Sequence, residues 1–216
     1  MKDENRDFDK DAATWDENAG RIKMATNIAN SIKYAVALDN SIDVLDFGCG
    51  TGLLTLQLQP LVRSISGFDS SKGMLQVLED KIKNQNIDNV TTTYIDIEQG
   101  GILKSSYDLV VCSMTLHHVR EPQLLIKQFK NVLKPDGILC IADLDSDGGL
   151  FHGANSEGVF HNGFDRNMLR ETLREAGFGN IQFRTAAEVV RFIPGGLRPF
   201  TIFLATGLKM AKQTAY

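Results

Sequence analysis

Val44-Leu45-Asp46-Phe47-Gly48-Cys49-Gly50-Thr51-Gly52 is the stretch that decides the fold. A short apolar run ends in an acid and then in three glycines at alternate positions. A buried parallel strand that enters a helix through such a loop presents bare backbone N–H groups to a ligand. Glycine permits both the close approach and the positive φ that this requires. The dinucleotide fingerprint spaces its glycines as G-x-G-x-x-G. Here they run G-x-G-x-G, with Asp46 two residues before the first. An acid at that point repels a pyrophosphate and attracts the ammonium group of an amino acid.

Outward from this turn the hydrophobic period alternates. Towards the amino end, Ile22, Ala25, Ile28, Ala29, Ile32 and Val36 recur at three- and four-residue spacings, one face of a helix, and Gly20 is expected to part it from a shorter helix containing Trp15. Towards the carboxyl end, strands are expected at Val62–Phe68, Val90–Ile95, Tyr107–Cys112 and Ile138–Ala142. Helices fall between them at Leu53–Leu58, Ser71–Asn84 and Glu121–Leu133. Lys134-Pro135-Asp136-Gly137 reads as a turn into the fifth strand. Near-continuous apolar strands separated by helices indicate a parallel sheet covered on both faces. Asp143 to Phe164 is polar and rich in glycine, a long loop of the kind that carries function. Asp165 then caps a helix ending near Gly177. Strands follow at Ile181–Thr185 and Phe200–Thr206, with Ala186–Arg191 either a short helix or an extension of the earlier strand.

The chain of 216 residues carries a net charge of −4 and no run of Lys and Arg. That gives no electrostatic footprint for nucleic acid or for an anionic membrane, so neither is expected as a partner. The charged start, Met1 to Asp11, lacks the apolar core of a signal peptide. No apolar run approaches the ~20 residues that span a bilayer. Cys49, Cys112 and Cys140 have no metal-type spacing and read as buried thiols in a reducing, cytoplasmic setting.

Five elements in order, from Ile42 to Leu144, resemble the class I S-adenosylmethionine-dependent methyltransferases, in particular their small-molecule branch. Val44–Gly52 is similar to motif I of that family. Asp69 in Gly67-Phe68-Asp69-Ser70-Ser71, Asp96 in Tyr94-Ile95-Asp96-Ile97, the segment Met114-Thr115-Leu116-His117-His118-Val119 and Val132-Leu133-Lys134-Pro135-Asp136-Gly137 match the later elements. The resemblance implies a Rossmann-like three-layer α/β sandwich. Its seven-stranded sheet would be mostly parallel with the last strand antiparallel, and a helical lid at 1–38 would precede a methyltransferase domain at 39–216 with a long loop at about 143–164. It implies S-adenosyl-L-methionine as cofactor and S-adenosyl-L-homocysteine as product. The cofactor would be lined by Asp46, Gly48, Cys49, Gly50, Gly52, Asp69, Ser70, Met74, Asp96, Ile97, Ser113 and His118. Asp69 would hold the ribose hydroxyls and Asp96 the adenine amino group, although Asp69 also suits a helix cap and Met74 a helix core. Trp15 and Arg21 would belong to the lid, either against the methionine end and the acceptor or as packing.

Methyl transfer from a sulfonium needs alignment more than a fixed catalytic group, and a base only where the acceptor must lose a proton. All four histidines fall in loops on the expected cofactor side. His117, His152 and His161 are candidates for a general base or polar clamp, and His118 for a packed loop position as well as a cofactor contact. No metal is expected. Asp143-Leu144-Asp145-Ser146-Asp147-Gly148 imitates the start of a calcium loop, but its twelfth position is Ala154, not a bidentate Glu, and a strand precedes it. The place after the fourth strand reads Ser113-Met114-Thr115-Leu116, without the Pro-Pro tetrapeptide of nucleic-acid amino methyltransferases. The expected acceptor is therefore a small molecule, through O, N, C or S. A protein methyltransferase and a non-catalytic binding scaffold are the alternatives, and a homodimer is left open.

Overall fold

The computed structural model describes residues 7–153 and 156–211. Met1 to Arg6 of the charged start, and Ala154 of the calcium-loop comparison, lie outside the described residues. Seven strands form one sheet: β1 (Asp43–Phe47), β2 (Ser64–Asp69), β3 (Val90–Tyr94), β4 (Tyr107–Ser113), β5 (Leu133–Leu144), β6 (Phe178–Ile193) and β7 (Gly196–Lys209). Their order is β3-β2-β1-β4-β5-β7-β6. The first five are mutually parallel, and β7 runs antiparallel to both β5 and β6. The sequence order therefore reverses at β1, between β2 and β4, where a crevice opens beyond the carboxyl ends of the strands.

Helices cover both faces. On one, α2 (Ala19–Ala35) and α3 (Thr55–Leu58) lay Ile28, Ala29, Ile32 and Leu58 against Val44, Ile65, Leu109 and Val111 of the sheet. On the other, α5 (Pro122–Val132) and α6 (Arg166–Glu175) pack Leu125, Phe129, Leu169 and Leu173 against Leu45, Val110, Ile141 and Phe203. Because side chains alternate across a strand, neighbours such as Val44 and Leu45 enter opposite cores. Burial on both faces is why these strands carry no polar alternation. α4 (Lys72–Asn84) covers the outer strands, with Leu75 and Leu78 packed against Cys49.

Two expectations are corrected and one alternative is decided. The break in the amino-terminal helices falls at Asn18, not Gly20: the Asn18 side chain caps α2 by accepting from the N–H groups of Gly20 and Arg21, so Gly20 lies inside the first turn. The segment before it is α1 (Phe8–Asp11) followed by a 3₁₀ helix, Ala12–Glu17. This front part and the first turns of α2 cover the crevice, while the rest of α2 is a core layer. Lys134–Gly137 is not a separate turn but an irregularity within β5, where the register jumps between the Tyr107 and Leu109 pairings and Asp136 takes φ 58°. Finally, Ala186–Arg191 extends β6, paired residue by residue with β7. Asp165 caps α6 as expected, accepting from Asn167 and Met168 N–H.

Candidate functional site

The glycine turn leaves β1 at the topological switch. Gly48, Gly50 and Gly52 take φ of 72°, 54° and 85°, which side chains other than glycine adopt only at a cost. The N–H groups of Gly48 and Cys49 donate to Phe68 O at 2.7 and 3.1 Å, drawing the turn across the end of β2. The Gly50 N–H donates to Asp69 Oδ2 at 2.8 Å, and Asp69 Oδ1 accepts from Ser71 N at 2.9 Å. Ser71 in turn caps α4, so Asp69 links the turn to the start of that helix without being its cap. Gly52 does not reach the cavity wall; a Cβ there would come within 2.4 Å of Leu78 Cδ1, so its part is close packing on α4.

A cavity opens where the turn, β2 and β3 end. Asp46, Gly48, Cys49, Gly50, Asp69 and Ser70 line it from β1 and β2, and Met74 from the first turn of α4. Asp96, Ile97 and Glu98 line it after β3, and Ser113 and His118 after β4. Phe8, Trp15 and Arg21 roof it, with the Arg21 guanidinium 3.7 Å from the centre of the Trp15 ring and its Nη1 donating to Trp15 O. Met114 and Thr115 of the quoted segment after β4 also line it, and Met24, Leu53 and Leu54 complete an apolar side that the sequence motifs did not single out. No local pattern could have found Met24, Leu53 and Leu54, because they meet only through the packing of α2 against the segment after the turn.

The charges are lopsided. Asp46, Asp69, Asp96 and Glu98 line the cavity, and among the described residues Arg21 is the one guanidinium on the wall. Asp46 is buried and accepts from Thr55 Oγ1 at 2.6 Å. Burial pushes its carboxyl up to about 7, Thr55 opposes that, and Asp69 adds to it. Burial also raises Asp69, against the lowering by the Ser71 and Gly50 N–H groups. Both acids are thus held in a setting that disfavours their charge until a cation arrives. Asp96 is more open and accepts from Glu98 and Gln99 N–H.

The roof is latched from outside. Asp9 of α1 reaches the start of α4, accepting from Ser71 Oγ at 2.5 Å and Gly73 N at 2.8 Å. Asp16 accepts from Thr51 Oγ1 at 2.6 Å and pairs with Lys81, whose ammonium also donates to Thr51 O at 2.6 Å.

The histidines gather on the cofactor side, but only His118 lines the cavity. His117 is buried, with Nδ1 2.7 Å from Asp143 Oδ1. Burial acts to raise Asp143, yet His117, by charge and hydrogen bond, and the Leu144 N–H hold it below its ordinary value. His152 lies beyond, its ring 5.0 Å from that of His117. His161 staples the long loop down, with Nε2 2.9 Å from Val119 O and its ring stacked on Phe164. His117, His152 and His161 are not among the residues that line the cavity, and their rings lie against Asp143, His117 and Val119 O respectively. His118 Nδ1 lies 2.6 Å from Gly158 O. A carbonyl can only accept, so Nδ1 carries the proton and Nε2, across the ring, holds a lone pair. Burial first, then His117, pushes the His118 imidazole down to about 3, which keeps it neutral. Among the described residues no group of three or more His, Cys, Asp or Glu could hold a metal ion.

A doubly covered parallel sheet, a glycine turn at the switch point and three acids at successive strand ends define the class of Rossmann-like methyltransferases that use S-adenosylmethionine. Residues 38–177 match the family model of the methyltransferase domain, and the chain belongs to that family. It is 31% identical over 171 residues to an uncharacterized methyltransferase of Schizosaccharomyces pombe, covering 73% of this chain and 58% of that one. It is 29% identical over 150 residues to a ubiquinone biosynthesis O-methyltransferase of Glaesserella parasuis, covering 64% and 62%. The chain thus spans about three-fifths of the length of these relatives. Among solved structures, the chain bound to the Trm112 methyltransferase activator of Haloferax volcanii superposes with a TM-score of 0.73 at 18% identity, covering 95% and 99%. Phosphoethanolamine N-methyltransferase 2 of Haemonchus contortus, solved with S-adenosyl-L-methionine, superposes at 0.69 with 14% identity, covering 86% and 52%. These likenesses establish the fold. Among the described residues no helix is long and apolar enough to cross a membrane.

Proposed function

We propose that this chain transfers a methyl group from S-adenosyl-L-methionine to a protic atom, O–H or N–H, of a small molecule held between the Phe8–Trp15 roof and His118. The observation that carries the reading is the row of acids along one cavity. The cofactor offers an ammonium group, two ribose hydroxyls, an adenine amino group and a sulfonium charge, all donors or cations. The wall offers carboxylates at matching strand ends: Asp46 for the ammonium, Asp69 for the ribose and Asp96 for the adenine, with Met74 and Ile97 as apolar neighbours of the base. The bound cofactor supplies an electrophilic methyl group.

The chain's own part is to align and to shield. Phe8 and Trp15 close the roof and exclude water, while Leu53, Leu54 and Met114 give the acceptor an apolar bed. His118 presents the Nε2 lone pair to an acceptor X–H and orients it for in-line attack. For a hydroxyl acceptor its weak basicity suits late proton removal, once methylation has made the attacked oxygen a strongly acidic oxonium; an amine acceptor attacks as the free base, and its ammonium product needs no proton transfer to His118. Gly158 holds the tautomer that makes this possible.

Calorimetry with S-adenosyl-L-methionine and S-adenosyl-L-homocysteine is the first test; absence of binding by both sinks the reading. A panel of hydroxylated and amine acceptors, followed by S-adenosyl-L-homocysteine release, then finds the substrate. His118→Ala should lower turnover at least about tenfold with little change in cofactor affinity, and equal turnover would remove His118 from the chemistry.

A further inference from the structure

α5 ends and β5 begins at the amino ends of the parallel strands, the side of the sheet opposite the acid-lined cavity. β7 runs antiparallel to β5 and finishes there, and α6 stops just before β6 starts beside it. A second concavity lies where these ends meet. Lys127, Lys130 and Asn131 line it from α5, Pro135 from the start of β5, Ala176 from the cap of α6, and Lys209 and Met210 from the close of β7.

The charges here are of one sign. Positions 127, 130 and 131 are three and four residues apart, so they share one face of α5. Lys209 joins them from a strand end. Among the described residues no carboxylate pairs with any of these three lysines, whereas Lys81 and Lys134 are both engaged by acids. Asp136 and Glu175 adjoin Pro135 and Ala176 in the chain, yet neither lines the concavity. A concave surface lined by one sign of charge focuses its field and concentrates counter-ions.

Two of the ammonium groups are held in place. Lys209 Nζ donates to Leu133 O. The Lys130 chain lies on Gly177, where a Cβ would stand 2.0 Å from Nζ and 2.9 Å from Cε, so the missing side chain gives it its seat. Burial and then the Lys130 charge push the Lys209 ammonium below the ordinary lysine range. The two cations therefore repel one another until an anion joins them. The helix dipole does not account for the gathering. Lys130 stands in the last turn of α5, where a cation is favoured, but Lys127 lies a turn earlier and Lys209 belongs to a strand.

The ligand class follows from the lining. Lysine ammonium groups are compact point charges with several donors, which suits the clustered oxygens of a phosphoryl group. Among the described residues no aromatic ring lines the concavity to stack on a nucleobase, so recognition rests on the anion. We propose that the concavity between the ends of α5 and β7 binds the phosphoryl end of a small phosphorylated molecule, with Lys127, Lys130 and Lys209 around its oxygens. It is a second site, at the other end of the strands from the acid-lined cavity. The net charge of −4 gives no sign of it, because the three lysines are gathered only by folding.

The test is calorimetry of the full chain with inorganic pyrophosphate. One saturable site should appear, weaken with salt, and lose at least about tenfold in affinity in the Lys130→Gln/Lys209→Gln double variant. Lys127→Gln, at an exposed position, should weaken binding about threefold by itself. Both variants should keep the affinity for S-adenosyl-L-homocysteine. No saturable binding, or unchanged affinity in the variants, overturns the proposal, and Lys127→Gln decides alone if the double variant does not fold. Competition between S-adenosyl-L-homocysteine and pyrophosphate also overturns it, by placing the anion in the cofactor cavity. So does tighter binding of a short DNA duplex that the same variants abolish, which would make the concavity part of a nucleic-acid contact.

Discussion

Gly48→Ala probes the turn most directly. Two terms oppose the substitution and they can be separated. Gly48 takes φ 72°, and an alanine in that region costs about 1–2 kcal/mol. A Cβ at Gly48 would also lie 2.1 Å from Thr115 Oγ1, 2.5 Å from Cγ2 and 2.7 Å from Cβ. Thr115 cannot simply rotate away, because its own Cβ is part of the overlap and its hydroxyl donates to Ser113 O. Such overpacking costs about 1–3 kcal/mol. The variant should therefore lose about 2–5 kcal/mol of stability. Cofactor affinity should fall too, because relief requires the turn to lift off Phe68 O and shift the backbone beside the cavity. In a Thr115→Gly background the overlap vanishes and only the dihedral term of about 1–2 kcal/mol remains. Urea unfolding of the four proteins in this cycle measures both terms, with the coupling read as the difference between backgrounds. A loss below about 1 kcal/mol in the native background, or the same loss in both, would refute the reasoning.

Three further outcomes follow from the site. Burial pushes the Asp46 carboxyl up to about 7, well above the ordinary aspartate range, so between the two the native state holds a proton that the unfolded chain has released. Stability should consequently fall as pH rises from about 4 to about 7 and level off above; Asp46→Asn should flatten that limb in pH-dependent melts. In the same window S-adenosyl-L-methionine should bind more tightly with rising pH and release a proton on binding, seen by calorimetry in buffers of different ionisation enthalpy; no proton release would detach Asp46 from the ammonium. Lys81→Met should loosen the roof. The ion pair with Asp16 is partly exposed and contributes at most about 1 kcal/mol, so S-adenosyl-L-homocysteine should leave about two- to fivefold faster in stopped-flow displacement, and an unchanged rate would mean the latch does not gate release.

Much of the sheet was legible because its determinants are local. Val44 to Gly52 announces a strand, a turn and a helix in nine residues, and the spacing of Asp69 and Asp96 follows from the length of each helix–strand unit. Apolar runs such as Leu109–Cys112 declare burial on both faces. Boundaries were less legible where tertiary pairing overrode local cues. Lys134-Pro135-Asp136-Gly137 has turn composition, yet pairing with β4 absorbs it as an irregularity in β5. Ala186–Arg191 had no decisive period, and β7 alone made it a strand. Gly20 suggested a break that the Asn18 side chain placed two residues earlier.

The sequence by itself determined the class of cavity: where three acids stand, how the turn bends, and that a donor-rich cation is the ligand they suit. Tertiary structure decided what surrounds it. His117 and His118 are adjacent in the chain, but one is buried on Asp143 and the other lines the wall, where the Gly158 carbonyl, forty residues away, accepts the hydrogen bond of its Nδ1–H. The Asp9 and Asp16 latches likewise depend on α4 arriving beside the amino-terminal segment. The lysine pocket too exists only because α5 and β7 end beside one another. The physical reason is the same throughout. Backbone geometry and burial propagate along a few residues of chain, whereas a tautomer, a latch or a pocket is set by groups that only folding brings together.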